Sequence, residues 1–231
     1  MGALQTRDCR ILRSGEWSGT TDKVAPETRI TVEVSGREPR VLWAHPSDLE
    51  RLAMGHAKIH LVQPGNEPRL QSAIGAHYLF EQQPSRAESV QEPPRLKGDW
   101  AIGAMFKLLE GAGLWDATGC FHRASCWVPG SPDPEAVADD IGRHNCIDRL
   151  AGWAVENRVD LGGLALLTTA RITGGYLEKA LQAGFRLLVS RSAVTGAAVS
   201  LAAEHEACLC GFTRPDEARL TMFRGHQGGE P

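Results

Sequence analysis

The sequence has no C-x-x-C pair, no apolar run near the roughly 18–20 residues that cross a bilayer, and no excess of either charge. Without C-x-x-C there is neither a zinc ribbon nor a thioredoxin-type redox motif. With 25 Lys+Arg against 28 Asp+Glu, a formal net charge of −3 argues against a protein held on nucleic acid by overall charge. The first residues, MGALQTRDCRILRSGEW, contain no apolar segment of secretory-signal length, so a soluble, cytoplasmic protein without membrane attachment is expected. Aromatic residues make up only 6%, and aliphatic residues supply most of the 42% hydrophobic content. At 231 residues and 23% charged, the chain is long and apolar enough for one large packed domain or two small ones, and is not a disordered segment.

The six cysteines are Cys9, Cys120, Cys126, Cys146, Cys208 and Cys210. A chain of this size needs no disulfide staples and carries no export signal, so free thiols are expected. Cys120, His122 and Cys126 are spaced C-x-H-x3-C, which is not a zinc-ligand pattern, and no metal site is expected. Cys208 and Cys210 alternate in an apolar run and should share one packed face of a strand.

Hydrophobic periodicity divides the chain. Residues 1–80 read as a small α+β unit. In Thr28–Val34, Ile30, Val32 and Val34 alternate as in a half-buried strand, and Val41-Leu42-Trp43 return as its hairpin partner. A helix follows, with Ser47 and Glu50 placed as a capping box and Leu49, Leu52 and Ala53 as its apolar stripe. Residues 81–98, polar and with three prolines, read as a loop. Residues 99–231 form the second unit. Its first helix begins at Asp99, with Ile102, Met105, Phe106 and Leu109 at helical spacing. Another helix spans 143–158; beyond it, Leu164–Thr168, Phe185–Ser190 and Ala207–Phe212 are short apolar runs separated by helical stretches. Strands alternating with helices of this length predict βαβ units on a parallel or mixed sheet, an α/β fold.

In such sheets ligands bind beyond the carboxyl ends of the strands. The first of those junctions is Thr168–Gly175, with Thr169 and Arg171; the second is Ser190–Gly196, with Arg191 and Ser192. Each places hydroxyls, an arginine and helix N-terminal amides together, which suits a phosphate or another anion. Helix caps flanked by surface arginines are the alternative. A third cluster, Asp140 to Asn145 with Asp148, opens a helix with Arg143 as an anion clamp and His144 as an acid, base or donor; a solvated first turn is the other reading. Thr118, Gly119, Cys120 and His122 form a fourth.

These clusters carry a resemblance. The segment from Asp140 to Arg149 (DIGRHNCIDR) resembles the D-[VI]-G-R-H-N-x-x-D-[KR] signature of the formate dehydrogenase accessory sulfurtransferase family, FdhD/NarQ. Thr118–His122 is similar to that family's T-G-G-x-H, Thr168–Thr173 to T-S-G-R-x-S, Leu188–Thr195 to L-V-S-R-S-A-P-T, and Gly211–Arg214 to its G-F-x-R ending. Pro46–Gly55 is similar to P-E-D-L-E-D-L-A-x-G, so the likeness runs in order from about residue 27 to 224.

The resemblance implies a cytidine-deaminase-like α/β domain after a smaller α+β domain. It also implies binding of guanine nucleotide and of the bis-guanine-dinucleotide molybdenum (or tungsten) cofactor. Its implied partners are a cysteine desulfurase that donates sulfur, formate dehydrogenase or a related molybdoenzyme that receives the cofactor, and a second copy in a homodimer. The deaminase zinc signature is absent. Thr118, Gly119, His122, Arg143, His144, Asn145, Thr169, Arg171, Ser190, Arg191 and Ser192 are then expected to line the cofactor site. The family's sulfur carrier is a C-x-x-C pair upstream of T-G-G-x-H, whereas residues 10–119 here contain no cysteine. Three readings follow. The carrier has moved to Cys120, with Cys126 as resolving thiol and Cys146 as a spare; or the chain carries the cofactor without sulfur chemistry; or the fold binds another nucleotide or a protein partner. The segment after Gly55 also departs, since F-L-x-x-E-G has become His56-Ala-Lys-Ile-His-Leu61, and the Gly of T-S-G-R has become Ala170.

Overall fold

In the computed structural model, which describes residues 4–85, 94–110 and 113–225, the chain begins with an antiparallel hairpin, β1 (Gln5–Arg13) and β2 (Glu16–Val24). Every residue of β2 is exposed. A four-stranded sheet follows, built from β3 (Thr28–Val34), β4 (Arg40–Ala44), β5 (Asn66–Ile74) and β6 (His77–Pro84) in the order β4-β3-β6-β5. Ile30, Val32 and Val34 are fully buried, as the alternation requires, and pack with Leu52 and Ala53 of helix α1 (Leu49–His60).

Helix α2 (Gly98–Glu110) and the short α3 (Gly113–Thr118) lead into a six-stranded sheet. Its elements are β7 (His122–Trp127), β8 (Ala136–Asp140), α4 (Arg143–Asn157), β9 (Ala165–Thr168), α5 (Gly174–Ala183), β10 (Leu187–Ser190), α6 (Gly196–Glu204), β11 (Cys208–Arg214) and β12 (Arg219–Arg224), with strand order β12-β11-β10-β9-β7-β8. The three central strands β9, β10 and β11 are parallel and the outer ones antiparallel, so the sheet is mixed. Strands buried on both faces read as continuous apolar runs. Accordingly Leu166, Leu188 and Leu209 face the core under α4, α5 and α6, while Leu167, Val189 and Cys210 face α2. Cys208 and Cys210 both belong to the α2 face.

Several local expectations are corrected. The capping box does not form: the N-cap of α1 is Asp48, in a left-handed conformation with no side-chain cap bond, and Ser47 Oγ instead lies 2.8 Å from His45 Nδ1. The inward face of α2 is rotated from the expected one. Ala101, Ala104, Met105 and Leu108 are buried, whereas Phe106 is 52% exposed, because the small alanines let the helix lie close on the sheet. Strand β6 runs to Pro84, into the segment expected to be a loop; of the rest, residues 86–93 lie outside the described ones.

The two sheets are joined where α1 crosses α4, and the crossing is made by two glycines. A Cβ at Gly55 would stand 1.7 Å from the Asp148 carbonyl oxygen, and one at Gly152 would stand 1.9 Å from that of Arg51. Only glycine permits this backbone approach. Among the described residues, no helix is long and apolar enough to cross a membrane.

Candidate functional site

Strands β8, β9 and β10 end at the same edge of the large sheet, each feeding the N-terminus of α4, α5 or α6. Strand β7 runs the other way, so its first residue, His122, lies at that edge opposite Asp140. The sheet therefore gathers the Asp140–Asn145, Thr168–Gly175 and Ser190–Gly196 clusters and His122 at one place.

They do not share one role. The signature at the start of α4 is largely turned inward. Asp140 is fully buried and takes Arg149 Nε at 3.0 Å and Nη2 at 2.6 Å. Arg149 also donates to the carbonyls of His45, Ser47 and Asp48, at the entry to α1. Asn145 donates to Trp43 O at 2.8 Å and to Asp140 Oδ1 at 2.9 Å. These side chains fasten the small sheet to the large one. Asn145, expected in the cofactor site, is thus a buried inter-sheet tie. Asp148 is also buried and takes Lys179 Nζ at 2.7 Å.

The junction hydroxyls are equally engaged. Thr168 Oγ1 accepts from Ala170 N and from the Tyr176 hydroxyl. Thr169 Oγ1 accepts from Arg123 N, Ser190 Oγ donates to Ala170 O and accepts from Ser192 N, and Ser192 Oγ donates to Thr169 O. Ser190 is fully buried, so it braces the loop and offers no surface to a ligand. Thr173 and Thr195 cap α5 and α6. The reading of these residues as caps and loop braces holds for the hydroxyls. Arg171 and Arg191 are exposed at the rim, as surface arginines would be, and this leaves their guanidinium groups free to meet an anion.

Between that rim and α3 lies a cleft of about 420 Å³, within the usual range for small-molecule sites, lined by Leu109, Trp115, Asp116, Phe121, His122, Arg123, Asp139, Thr169, Arg191 and Ser192. Burial, followed by the guanidinium groups of Arg143 and Arg171, holds the pKa of His122 below its ordinary value. His144 points elsewhere: its ring meets Tyr176 at a centroid distance of 5.6 Å and lines a second, shallow cleft with His60 and Lys179. Burial, Arg143 and Lys179 push its pKa down to about 4. Thr118 donates to Leu114 O and accepts from Cys120 N, and Gly119 holds a positive φ of 66°, shaping the turn that presents Cys120.

The sequence reading missed Arg123, Asp139 and Trp115. The first two are directly opposed across the β7–β8 hairpin and form a two-pronged ion pair at 2.7 and 2.9 Å. Opposite charges at one cross-strand position were the available signal. Trp115 is 56% exposed and gave no periodic signal in its six-residue helix.

The thiols separate clearly. Cys120 is exposed, two residues before His122. Cys126 is fully buried and its pKa is pushed up to about 12 by desolvation, so it cannot serve as an accessible resolving thiol. Cys146 is buried and raised further, again by burial first and then by Asp140 and Asp139. Thiolate, not thiol, is the reactive form. Among the described residues, Cys120, His122 and Cys126 do not converge as a metal-ligating group.

Fold and site define an α/β protein with a half-enclosed, cation-rimmed cleft beyond the carboxyl ends of its strands. The FdhD/NarQ family model matches residues 69–227, and the chain belongs to that family. It is 26% identical over 251 aligned residues to the protein named sulfur carrier protein FdhD of Bacillus pumilus (strain SAFR-032), covering 93% of each chain. It is 25% identical to the protein of the same name from Bacillus subtilis (strain 168), covering 90% of this chain and 91% of that one. A solved structure from Desulfotalea psychrophila, assigned as a formate dehydrogenase accessory protein, superposes with a TM-score of 0.80 at 21% identity, covering 96% of this chain and 97% of that one; the likeness is one of fold.

Proposed function

We propose that this protein is an accessory factor for formate dehydrogenase or a related molybdoenzyme. In this reading its cargo is the guanine-dinucleotide molybdenum (or tungsten) cofactor, whose nucleotide end sits in the cleft between Trp115 and Arg191. The observation that carries the reading is the cleft itself. Trp115 offers a face for a nucleobase, Asp116 a carboxylate of the kind that accepts from a guanine edge, and Arg191 a cation for a diphosphate. Arg143 and Arg171 add positive potential beside His122. The names of the relatives support an accessory role in sulfur carriage. The large sheet, with helices on both faces, is read as the cytidine-deaminase-like arrangement the motifs imply.

Sulfur transfer would use Cys120. Its thiolate attacks the outer sulfur of a cysteine desulfurase persulfide, forming a Cys120 persulfide and releasing the desulfurase thiolate, so no external oxidant is needed. Exposure of Cys120 and burial of Cys126 and Cys146 favour it as the carrier. The second reading, a cofactor carrier without sulfur chemistry, is favoured by the lack of any cysteine between residues 10 and 119.

Two experiments test these readings. Calorimetric titration with GDP should show binding that Arg191→Ala weakens; no binding to the unaltered protein removes the nucleotide reading. Mass spectrometry after incubation with a cysteine desulfurase and cysteine should find one added sulfur atom on Cys120 and none on Cys120→Ser. GDP binding without any sulfur adduct would establish the second reading.

A further inference from the structure

We propose that His56, His60 and Asp148, where α1 meets α4, form a divalent-cation site suited to Zn²⁺. The site is independent of the nucleotide cleft. His56 and His60 stand one turn apart on the same face of α1, and the glycine contact at Gly55 brings that face down onto α4 beside Asp148. One ligand atom from each of the three residues can be chosen so that all lie within 4.8 Å of one another.

The second observation is that three buried polar atoms of the cluster have no hydrogen-bond partner. Neither ring nitrogen of His56 nor Asp148 Oδ1 has a hydrogen-bond partner, although the two side chains are only 9% and 0% exposed. The His56 Nδ1 to Asp148 Oδ2 separation of 3.6 Å is too long for a hydrogen bond. Buried polar atoms in this state cost free energy and call for a missing group. Lys179 occupies Oδ2 at 2.7 Å, which leaves Oδ1 as the oxygen for a cation. Lys179 then acts as the outer partner that orients the carboxylate, as carboxylate ligands commonly require.

The donor set selects the ion. Two imidazole nitrogens and one carboxylate oxygen match zinc, which takes nitrogen and oxygen at about 2.0–2.2 Å in tetrahedral geometry. Calcium and magnesium prefer oxygen alone. Such bonds place neighbouring ligand atoms about 3.4 Å apart, so the side chains need to close by roughly an ångström, within the reach of a rotation of the exposed His60. The shallow cleft lined by His60, His144, Glu178 and Lys179 supplies an entry path and room for a water as fourth ligand. The two histidines stand where the related motif F-L-x-x-E-G carries Phe and Glu, so the site would distinguish this chain from sequences that keep that motif.

The test uses the untagged full chain, stripped of metal with a chelator and titrated with Zn²⁺ against a chromophoric competitor and with Co²⁺ by visible absorption. One equivalent should bind, with the cobalt bands of a four-coordinate site. His60→Ala, at the exposed edge, should lower affinity by about tenfold or more, at least the loss that follows removal of an outer-shell partner. His56→Phe should abolish binding, and His205→Ala, on an exposed distant position, should leave it unchanged. Circular dichroism checks that each variant is folded; should His56→Phe fail to fold, His60→Ala alone decides. Absence of stoichiometric binding, or binding unaffected by His60→Ala, overturns the proposal.

Discussion

The start of α4 and the starts of α5 and α6 use similar chemistry at the same sheet edge, yet face opposite ways. At α4 the charged and amide groups are buried: Asp140, Asn145 and Arg149 reach the backbone of residues 43–48 and hold the two sheets together. At α5 and α6 the hydroxyls brace their own loops while Arg171 and Arg191 remain exposed. The difference comes from what lies above each helix start. The entry loop of α1 covers α4 and presents carbonyl oxygens that need donors, whereas α5 and α6 open beside the cleft. A string of polar residues in one motif is therefore partly architectural and partly a binding surface, and only position separates the two.

The largest effect should come from breaking the tie. Arg149→Met removes the charge partner of a fully buried carboxylate and the side-chain donor to the carbonyls of His45 and Ser47, which should cost about 3–5 kcal/mol, the range for breaking a buried ion pair. Urea unfolding measures it; a loss under 1 kcal/mol would mean that Arg149 does not fasten the sheets. Asn145→Ala should follow at about 1–3 kcal/mol, the cost of losing the donor to the Trp43 carbonyl and one of the donors to Asp140 Oδ1. If it left stability intact but lowered GDP affinity, Asn145 would belong to the binding side of the comparison.

On the open side the pattern should invert. Arg191→Ala should weaken GDP binding about tenfold or more, since a hydrogen bond to a charged group is worth about 1.5–3 kcal/mol, with little change in melting temperature. Equal losses of stability and affinity would erase the distinction between the two junctions. The smallest effect is electrostatic. Arg143→Ala removes one of the cations that oppose protonation of His122, so the His122 pKa should rise toward its ordinary value. An imidazole NMR titration reads that shift, and an unmoved pKa would place Arg143 away from the cleft.

Much of the fold was legible because it rests on local periodicity. The alternation of Ile30, Val32 and Val34 and the apolar runs that include Thr168 and Ser190 appear where the pattern puts them. Periodicity failed where packing distance mattered more than hydrophobicity. In α2, alanines displace Phe106 from the interface, because a close helix–sheet contact favours small side chains. Near α1, the expected capping box gives way to other contacts: Ser47 Oγ meets His45 Nδ1, and Arg149 donates to the carbonyls of Ser47 and Asp48.

The sequence by itself determined the family, the alternation of strands and helices from α4 to β11 and the edge of the sheet at which polar residues collect, since all of these follow from patterns between neighbours in the chain. Only the tertiary structure decided which polar residues face inward. Asn145 meets Trp43 across 102 positions, Arg123 meets Asp139 by strand register, and His56 meets Asp148 because two glycines let α1 and α4 touch. Those contacts depend on the distance and angle between elements, which no local pattern encodes.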